Sequence, residues 1–278
     1  MTAVSENGSR VSRRRRLRWG KLALAVYAAF FFLFLLAPIV IVVIASFSSA
    51  NFIAFPMPGF SLEWYERILN YPPFMQSLVV SMEVAFLSGL AGLALGVPAA
   101  LWAARDDGIA ARLFTNLMLA PISIPAILLG FSLLYTLSAM TLGISLPSLV
   151  ITHTVVAIPY ISRTVLAVYR AVPPDHEEAA TLLGASRQQV LFTITLPLVR
   201  PGIFAGTMFA MLVSFDNLPL SLFLSGPSTT TLPVVILSYL QNQFDPSIAA
   251  IATVQMLIAV IALTVVNAIY GIEKMTAA

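Results

Sequence analysis

The sequence predicts an all-α polytopic membrane protein with six transmembrane helices. Three observations carry that prediction. The 278 residues are 59% hydrophobic and only 10% charged, outside the usual range of a soluble domain. Six apolar runs are each long enough, at about 20 residues, to cross ~30 Å of hydrocarbon. The basic residues fall on alternate loops, as the cytoplasmic excess of Lys and Arg requires. Cysteine is absent, which excludes disulfides, thiolate catalysis and a Cys-ligated metal. Seven of the fifteen Lys and Arg lie in the first 21 residues. The net charge of +3 therefore reads as an orientation signal and not as a nucleic-acid footprint.

Residues 1–20, with consecutive Arg13 to Arg16, are expected to form a mobile basic tail that also attracts anionic lipid. Residues 21–278 are expected to form one transmembrane domain. The run from Leu22 to about Phe47 is longer than the roughly 7–15 residues of a signal-peptide core and is interrupted by Pro38, so it reads as an uncleaved first span. The spans are placed at about 22–47, 77–104, 113–138, 147–169, 202–224 and 247–271. Arg105, Arg112, Arg170, Arg187, Arg200 and Lys274 then share the side of the basic tail, with only Arg67 opposite. Both termini are accordingly expected in the cytoplasm.

Between spans one and two, Pro56, Pro58 and Gly59 predict irregular chain. Leu62, Tyr65, Ile68 and Leu69 recur at helical spacing and predict a short amphipathic surface helix. Span two carries Gly89, Gly92 and Gly96, a spacing that permits close helix approach. Pro121, Ser123, Pro125 and Gly130 predict a kink or local unwinding in span three. Pro159 in span four, beside His153 and Arg163, predicts another break, tolerated only where neighbours or a cavity satisfy the freed backbone. His153 has no second His or Cys near it to complete a metal site and reads as a hydrogen-bonded interior histidine. Span five contains Ser214, Phe215, Asp216, Asn217 and, two residues on, Pro219. A carboxylate costs about 2.5–3.5 kcal/mol near the bilayer centre on insertion scales. Asp216 and the acid of span two, Glu83, are therefore candidates for a solute path, the alternative for each being an ion pair or a polar helix contact. Beyond Gly226-Pro227, Leu232 to Leu240 is too short to span and predicts a surface or re-entrant helix.

The longest polar interruption, 173–200, separates spans four and five. Pro173 and Pro174 suit a helix start, and Asp175, Glu177 and Glu178 favour the positive end of its dipole. Gly184 suits a left-handed helix end. Ser186 with Gln189 is a capping box opening a second short helix, which Pro197 stops or bends. Within this stretch stand Glu178, Ala179 and Ala180, then three residues, Gly184, nine residues, and Ile194, Thr195, Leu196, Pro197. That pattern resembles the EAA loop of permease subunits of type I ABC importers. The segments SLEWYERIL (Ser61 to Leu69) and SFDNLPLSLFLSGPSTTTLPVVILSYL (Ser214 to Leu240) resemble the second permease of the spermidine/putrescine importer group. One departure is Asp216-Asn217, where that group usually has two acids.

The resemblance implies a bacterial inner-membrane subunit with the type I permease fold. Its coupling helix is cytoplasmic and presents Glu178, Ala179, Ala180, Gly184, Ile194, Leu196 and Pro197 to an ATPase. It implies a second permease as heterodimer partner, two ATPase subunits and an external substrate-binding protein, with no cofactor held by this chain and ATP and Mg used by the partners. No G-x-x-x-x-G-K-[ST] loop occurs, so an enzyme role is not expected. The substrate path is expected to involve Asp216, Asn217, Glu83, Ser214 and Phe215. Acids without matching bases favour a polyamine-like cation; an amino-acid derivative, opine, phosphonate or ferric iron is the alternative. A stand-alone secondary transporter would need internal repeats and coupling-ion acids that are not evident.

Overall fold

The computed structural model describes residues 5–52, 56–106, 108–243 and 245–270, with the backbone alone for 5–20, 266, 267, 269 and 270. The chain divides into two compact units, Met1–Glu66 with Asp245–Thr253, and Arg67–Phe244 with Val254–Ala278. Among the described residues, five helices are long and apolar enough to cross a membrane, or six spans result if one bent pair is counted as a single span.

In the smaller unit, α1 (Ser5–Ala45) runs through Pro38 without ending. It begins well before the predicted Leu22, so the tail is helical from Ser5 onward; residues 1–4 lie outside the described residues. Arginine and leucine are strong helix formers, and nothing between Ser9 and Lys21 breaks the ladder. The next segment, predicted irregular, is pinned by aromatic packing. Phe47 stacks on Phe60 at 5.2 Å and lies 5.1 Å from Tyr65. An antiparallel bridge pairs Ser48 with Phe60, and the Trp64 indole N–H donates to the Ser48 carbonyl at 2.7 Å. The short helix α2 (Glu63–Leu69) forms as predicted, but its inner face is Trp64 and Ile68, while Leu62 and Leu69 stay exposed. Amphipathic periodicity located the helix and misassigned its face because Trp64, beside acidic Glu63, was not counted as apolar. Asp245 accepts the Ser247 N–H at 3.0 Å where α12 (Ser247–Tyr270) begins. The predicted end at 271 and Lys274 lie outside the described residues.

The larger unit contains α3 (Pro72–Ala104), α4 (Ile109–Ser123), α5 (Ala126–Ala139), α6 (Leu146–Ala171), α7 (Asp175–Leu182), α8 (Arg187–Val190), α9 (Leu196–Phe215), α10 (Leu218–Phe223) and α11 (Leu232–Asn242). Its core is the mutual packing of α3, α6 and α9 around Val97, Leu101, Ile161, Val165, Val199 and Ala210. Small residues set the approach, as the glycines of span two predict. Gly92 lies against Ala157 and Gly96 against Ser162, whose hydroxyl donates to the Gly96 carbonyl at 3.0 Å. On the facing side, a Cβ at Gly206 would stand 3.1 Å from Ile161 Cα.

The predicted interruption of span three is a 105° bend between α4 and α5, at Ile124 and Pro125. Two expectations are corrected. Span four is not broken, because α6 passes through Pro159 with the ring buried; a proline held by its neighbours continues a membrane helix. Span five is displaced. Its helical ladder begins at Arg187 and ends at Phe215, not at 202 and 224. Pro197 does not stop it, because residues Leu191–Thr195 form a π-turn in which the Leu196 N–H reaches the Leu191 carbonyl. The wider turn relieves the clash a proline makes with the preceding carbonyl.

Gly206→Leu should force α9 away from α6 and cost about 1–3 kcal/mol by overpacking. The expected result is a lower melting temperature and less assembled protein on size-exclusion chromatography. Parent-like melting would show that the glycine contact does not set the helix spacing.

Candidate functional site

The interhelical loop is built from two caps. Gly184 adopts φ +87°. Its N–H donates to the Thr181 carbonyl and that of Ala185 to the Ala180 carbonyl, both at 3.0 Å, the paired bonds of a Schellman helix end. Ser186 then opens α8 with both bonds of the capping box, Gln189 N–H to Ser186 Oγ and Ser186 N–H to Gln189 Oε1. Helix α7 is thus a separate rod of eight residues whose tip exposes Leu182 and Leu183, 88% and 90% accessible. Two fully exposed leucines stand at this helix end beside exposed Glu178 and Ala179, an apolar tip of the kind that marks interaction surfaces.

The opposite face of α7 is fastened by Glu177. Its carboxylate meets the Arg105 guanidinium at 3.3 Å, accepts the Thr195 hydroxyl at 2.6 Å and accepts the Tyr169 hydroxyl at 3.3 Å. Arg105 also donates to Thr195 Oγ1 at 3.0 Å and lies over the Tyr169 ring. Partial burial pulls the Arg105 pKa down, but the Tyr169 hydroxyl and the Glu177 carboxylate outweigh it and the net shift is upward; the cation is kept. The four residues come from the end of α3, the end of α6, the first turn of α7 and the π-turn. A cleft of about 680 Å³ beside them is lined by Arg105, Glu177, Glu178, Thr181, Leu182, Arg187 and Val190. Sequence reasoning singled out Glu178, which is exposed, and missed the Glu177 contacts. Arg105 as the first base after a span was the available signal, but its partner lies 72 residues away. Ile194 and Leu196 are half-buried at the base of α9, and Pro197 is exposed.

The second candidate region is the break after α9. Asp216 caps α9, and Asn217 caps α10 by accepting the Leu220 N–H at 3.3 Å. Asp216 therefore sits at the end of a helix and not mid-span. It is exposed and accepts a hydrogen bond from the Gln255 amide at 2.9 Å. Glu83, expected to be buried, is exposed on the outer face of α3, about 17 Å along the helix from Pro72 at 1.5 Å per residue. Ser214 and Phe215 turn the other way, into the protein. The five path candidates thus divide between an exposed set, Asp216 and Glu83, and an inward set, with Asn217 between them as a cap. Among the described residues no cluster of His, Cys, Asp and Glu suits a metal. His153 is buried and hydrogen-bonded to Ser214 and Ser221.

Arg105→Gln should loosen α7. A partly exposed ion pair is worth about 0.2–1 kcal/mol, so amides of residues 177–183 should exchange with deuterium roughly two- to fivefold faster. Unchanged protection would show that the pair does not hold the helix.

Comparison with known proteins agrees with this architecture. Residues 96–272 match the family model described as binding-protein-dependent transport system inner membrane component. The putrescine transport system permease protein PotI of Escherichia coli (strain K12) is 31% identical over 229 residues, covering 80% of this chain and 81% of its own length. The spermidine/putrescine transport system permease protein PotC of Haemophilus influenzae is 31% identical, covering 84% and 90%. The molybdenum transport system permease protein ModB of Mycobacterium bovis is also 31% identical, covering 78% and 88%. Among solved structures, a bacterial ABC transporter that imports alginate superposes with a TM-score of 0.70 at 19% identity over 91% of this chain and 97% of that one. With a permease fold and a family match over most of the membrane region, the chain belongs to the binding-protein-dependent transport system inner membrane components and is a permease subunit of an ABC importer.

Proposed function

We propose that this permease forms half of a path for a small organic cation of the polyamine class and that α7 couples the path to ATP hydrolysis on partner subunits. In this reading it pairs with a second permease, two ATPase subunits and an external binding protein. Both termini and α7 lie in the cytoplasm of a bacterial cell. The chain itself holds no cofactor; ATP and Mg act on the ATPases.

The observation that carries the coupling role is the construction of α7. One end exposes Leu182 and Leu183. The other face is tied through Glu177 to Arg105, Tyr169 and Thr195, at the ends of α3 and α6 and the base of α9. A push on the tip is therefore delivered to all three core helices together, which is what a two-state element biased by nucleotide requires. Gly184 isolates the rod from α8, so its left-handed conformation sets the hinge. Ala179, Ala180 and Glu178 add to the docking face, and Ile194, Leu196 and Pro197 form the base onto which the motion passes.

The substrate class rests on Asp216 and Glu83. Both carboxylates stand on the exposed surface of this chain, where a charge facing lipid is costly, most of all toward the bilayer centre that Glu83 is the nearer to. A watery path shared with the second permease removes that cost, and two acids there attract a cation. The relatives named for putrescine and spermidine transport support the polyamine reading. The equally similar relative named for molybdenum transport shows that overall identity alone does not choose the solute, so an amino-acid derivative, opine, phosphonate or ferric iron is the second reading.

The test is uptake of labelled putrescine and spermidine by the complete transporter in cells lacking other polyamine importers. Uptake should depend on this chain and fall at least about tenfold in Asp216→Asn, the loss of roughly 1.4 kcal/mol of interaction. No uptake by an assembled, ATP-hydrolysing complex would discard the polyamine class and leave the importer role. Gly184→Val places a β-branched side chain where the left-handed conformation penalises it by about 1–2 kcal/mol. It should keep ATP hydrolysis and lose uptake, and normal uptake would contradict the lever.

A further inference from the structure

His153 is a buried titratable group that the coupling and path roles leave unused. Its ring lies between the end of α9 and the short α10 that follows it. Nδ1 meets Ser214 Oγ at 2.8 Å near the end of α9, and Nε2 meets Ser221 Oγ at 3.2 Å within α10. The break between these serines is Asp216-Asn217. Ser214 is in turn 3.1 Å from Ser88 Oγ on α3, and Ser88 donates to the Ala85 carbonyl at 3.3 Å.

Donor counting orders this chain. Because Ser88 gives its proton to Ala85, Ser214 donates to Ser88 and accepts from Nδ1–H; Nε2 then accepts from the Ser221 hydroxyl. Every hydroxyl proton in the chain is used, with the ring neutral and protonated on Nδ1. All four side chains are buried, where an unmade hydrogen bond is expensive. The backbone supplies little else across the break. The Asn217 N–H reaches Ser214, the Leu218 N–H turns back to Asp216, and Pro219 has no N–H to give.

We propose that His153 is a positioning residue that splints the junction between α9 and α10, fixing the angle between them and hence the placement of Asp216 and Asn217 at the solute path. With few backbone hydrogen bonds across the junction, side-chain contacts are what hold its angle. Here one imidazole engages both sides of the break at once, and Ser88 anchors it to α3. The role in transport rests on Asp216 belonging to the path; the splint itself does not.

The test has two readouts on the complete, reconstituted transporter. The chain has no cysteine, so Phe209→Cys with Leu222→Cys, both exposed, carries one spin label on each side of the break. The label distance distribution should be narrow in the parent background and broadened in His153→Ala and Ser221→Ala. His153→Asn, which retains a donor near the Nδ1 position, should restore part of the narrowing. Putrescine uptake should show a half-saturating concentration raised about tenfold in His153→Ala, with maximal rate per assembled complex changed less. Ser221→Ala keeps the imidazole buried and so separates loss of the splint from misfolding. A distribution narrow in the parent and broadened in both variants, with no putrescine uptake by the parent, supports the splint and rejects the polyamine reading. Parent-like distances in both His153→Ala and Ser221→Ala, or an uptake loss that merely tracks the amount of assembled complex, would overturn the proposal.

Discussion

Inside hydrocarbon a helix can bend or stop only where something else satisfies its backbone, and this constraint organises the larger unit. Its three irregularities are the bend at Ile124 and Pro125, the π-turn at Leu191–Thr195 and the break at Asp216-Asn217. Two of them carry side chains hydrogen-bonded to other helices, which hold the irregular segment in place. Thr195 of the π-turn bonds to Glu177 and Arg105. The break is bridged by His153 between Ser214 and Ser221. The residues that permit irregular backbone also connect the ends of the bundle, so moving one irregularity requires moving its neighbours.

The close packing of α3, α6 and α9 makes those connections stiff. Gly92, Gly96 and Gly206 bring backbones together, and Ser162 crosses from α6 to the Gly96 carbonyl. Helices this close slide or tilt as a group, since packed interiors transmit displacement and do not absorb it. A rod fixed by Glu177 at the base of that group is thus suited to moving all three, whereas a rod on a flexible loop would dissipate the push.

Much of this was legible in the sequence. Gly184 and the Ser186–Gln189 box announced α7 and the start of α8 because caps are local chemistry, decided within four residues. The span-two glycines announced a close interface because small side chains have one main use in lipid. Prolines misled where context decided: Pro159 and Pro197 were read as breakers, yet one is packed in a continuous helix and the other follows a widened turn. Burial of Glu83 was misjudged because hydropathy locates a helix in the membrane without saying which face meets protein. The Arg105–Glu177–Tyr169–Thr195 cluster was missed because its members come from four elements, up to 90 residues apart, and nothing local pairs them.

The central claim is that α7 docks on a separate ATPase through its exposed tip. The most direct measurement is site-specific cross-linking in the reconstituted transporter, with a single cysteine placed on this cysteine-free chain. Leu182→Cys or Leu183→Cys labelled with a maleimide-benzophenone should give a permease–ATPase photo-adduct on illumination, and Leu240→Cys on α11 should not. Absence of the adduct in an intact, ATP-hydrolysing complex, or an equal adduct from Leu240→Cys, would contradict the account.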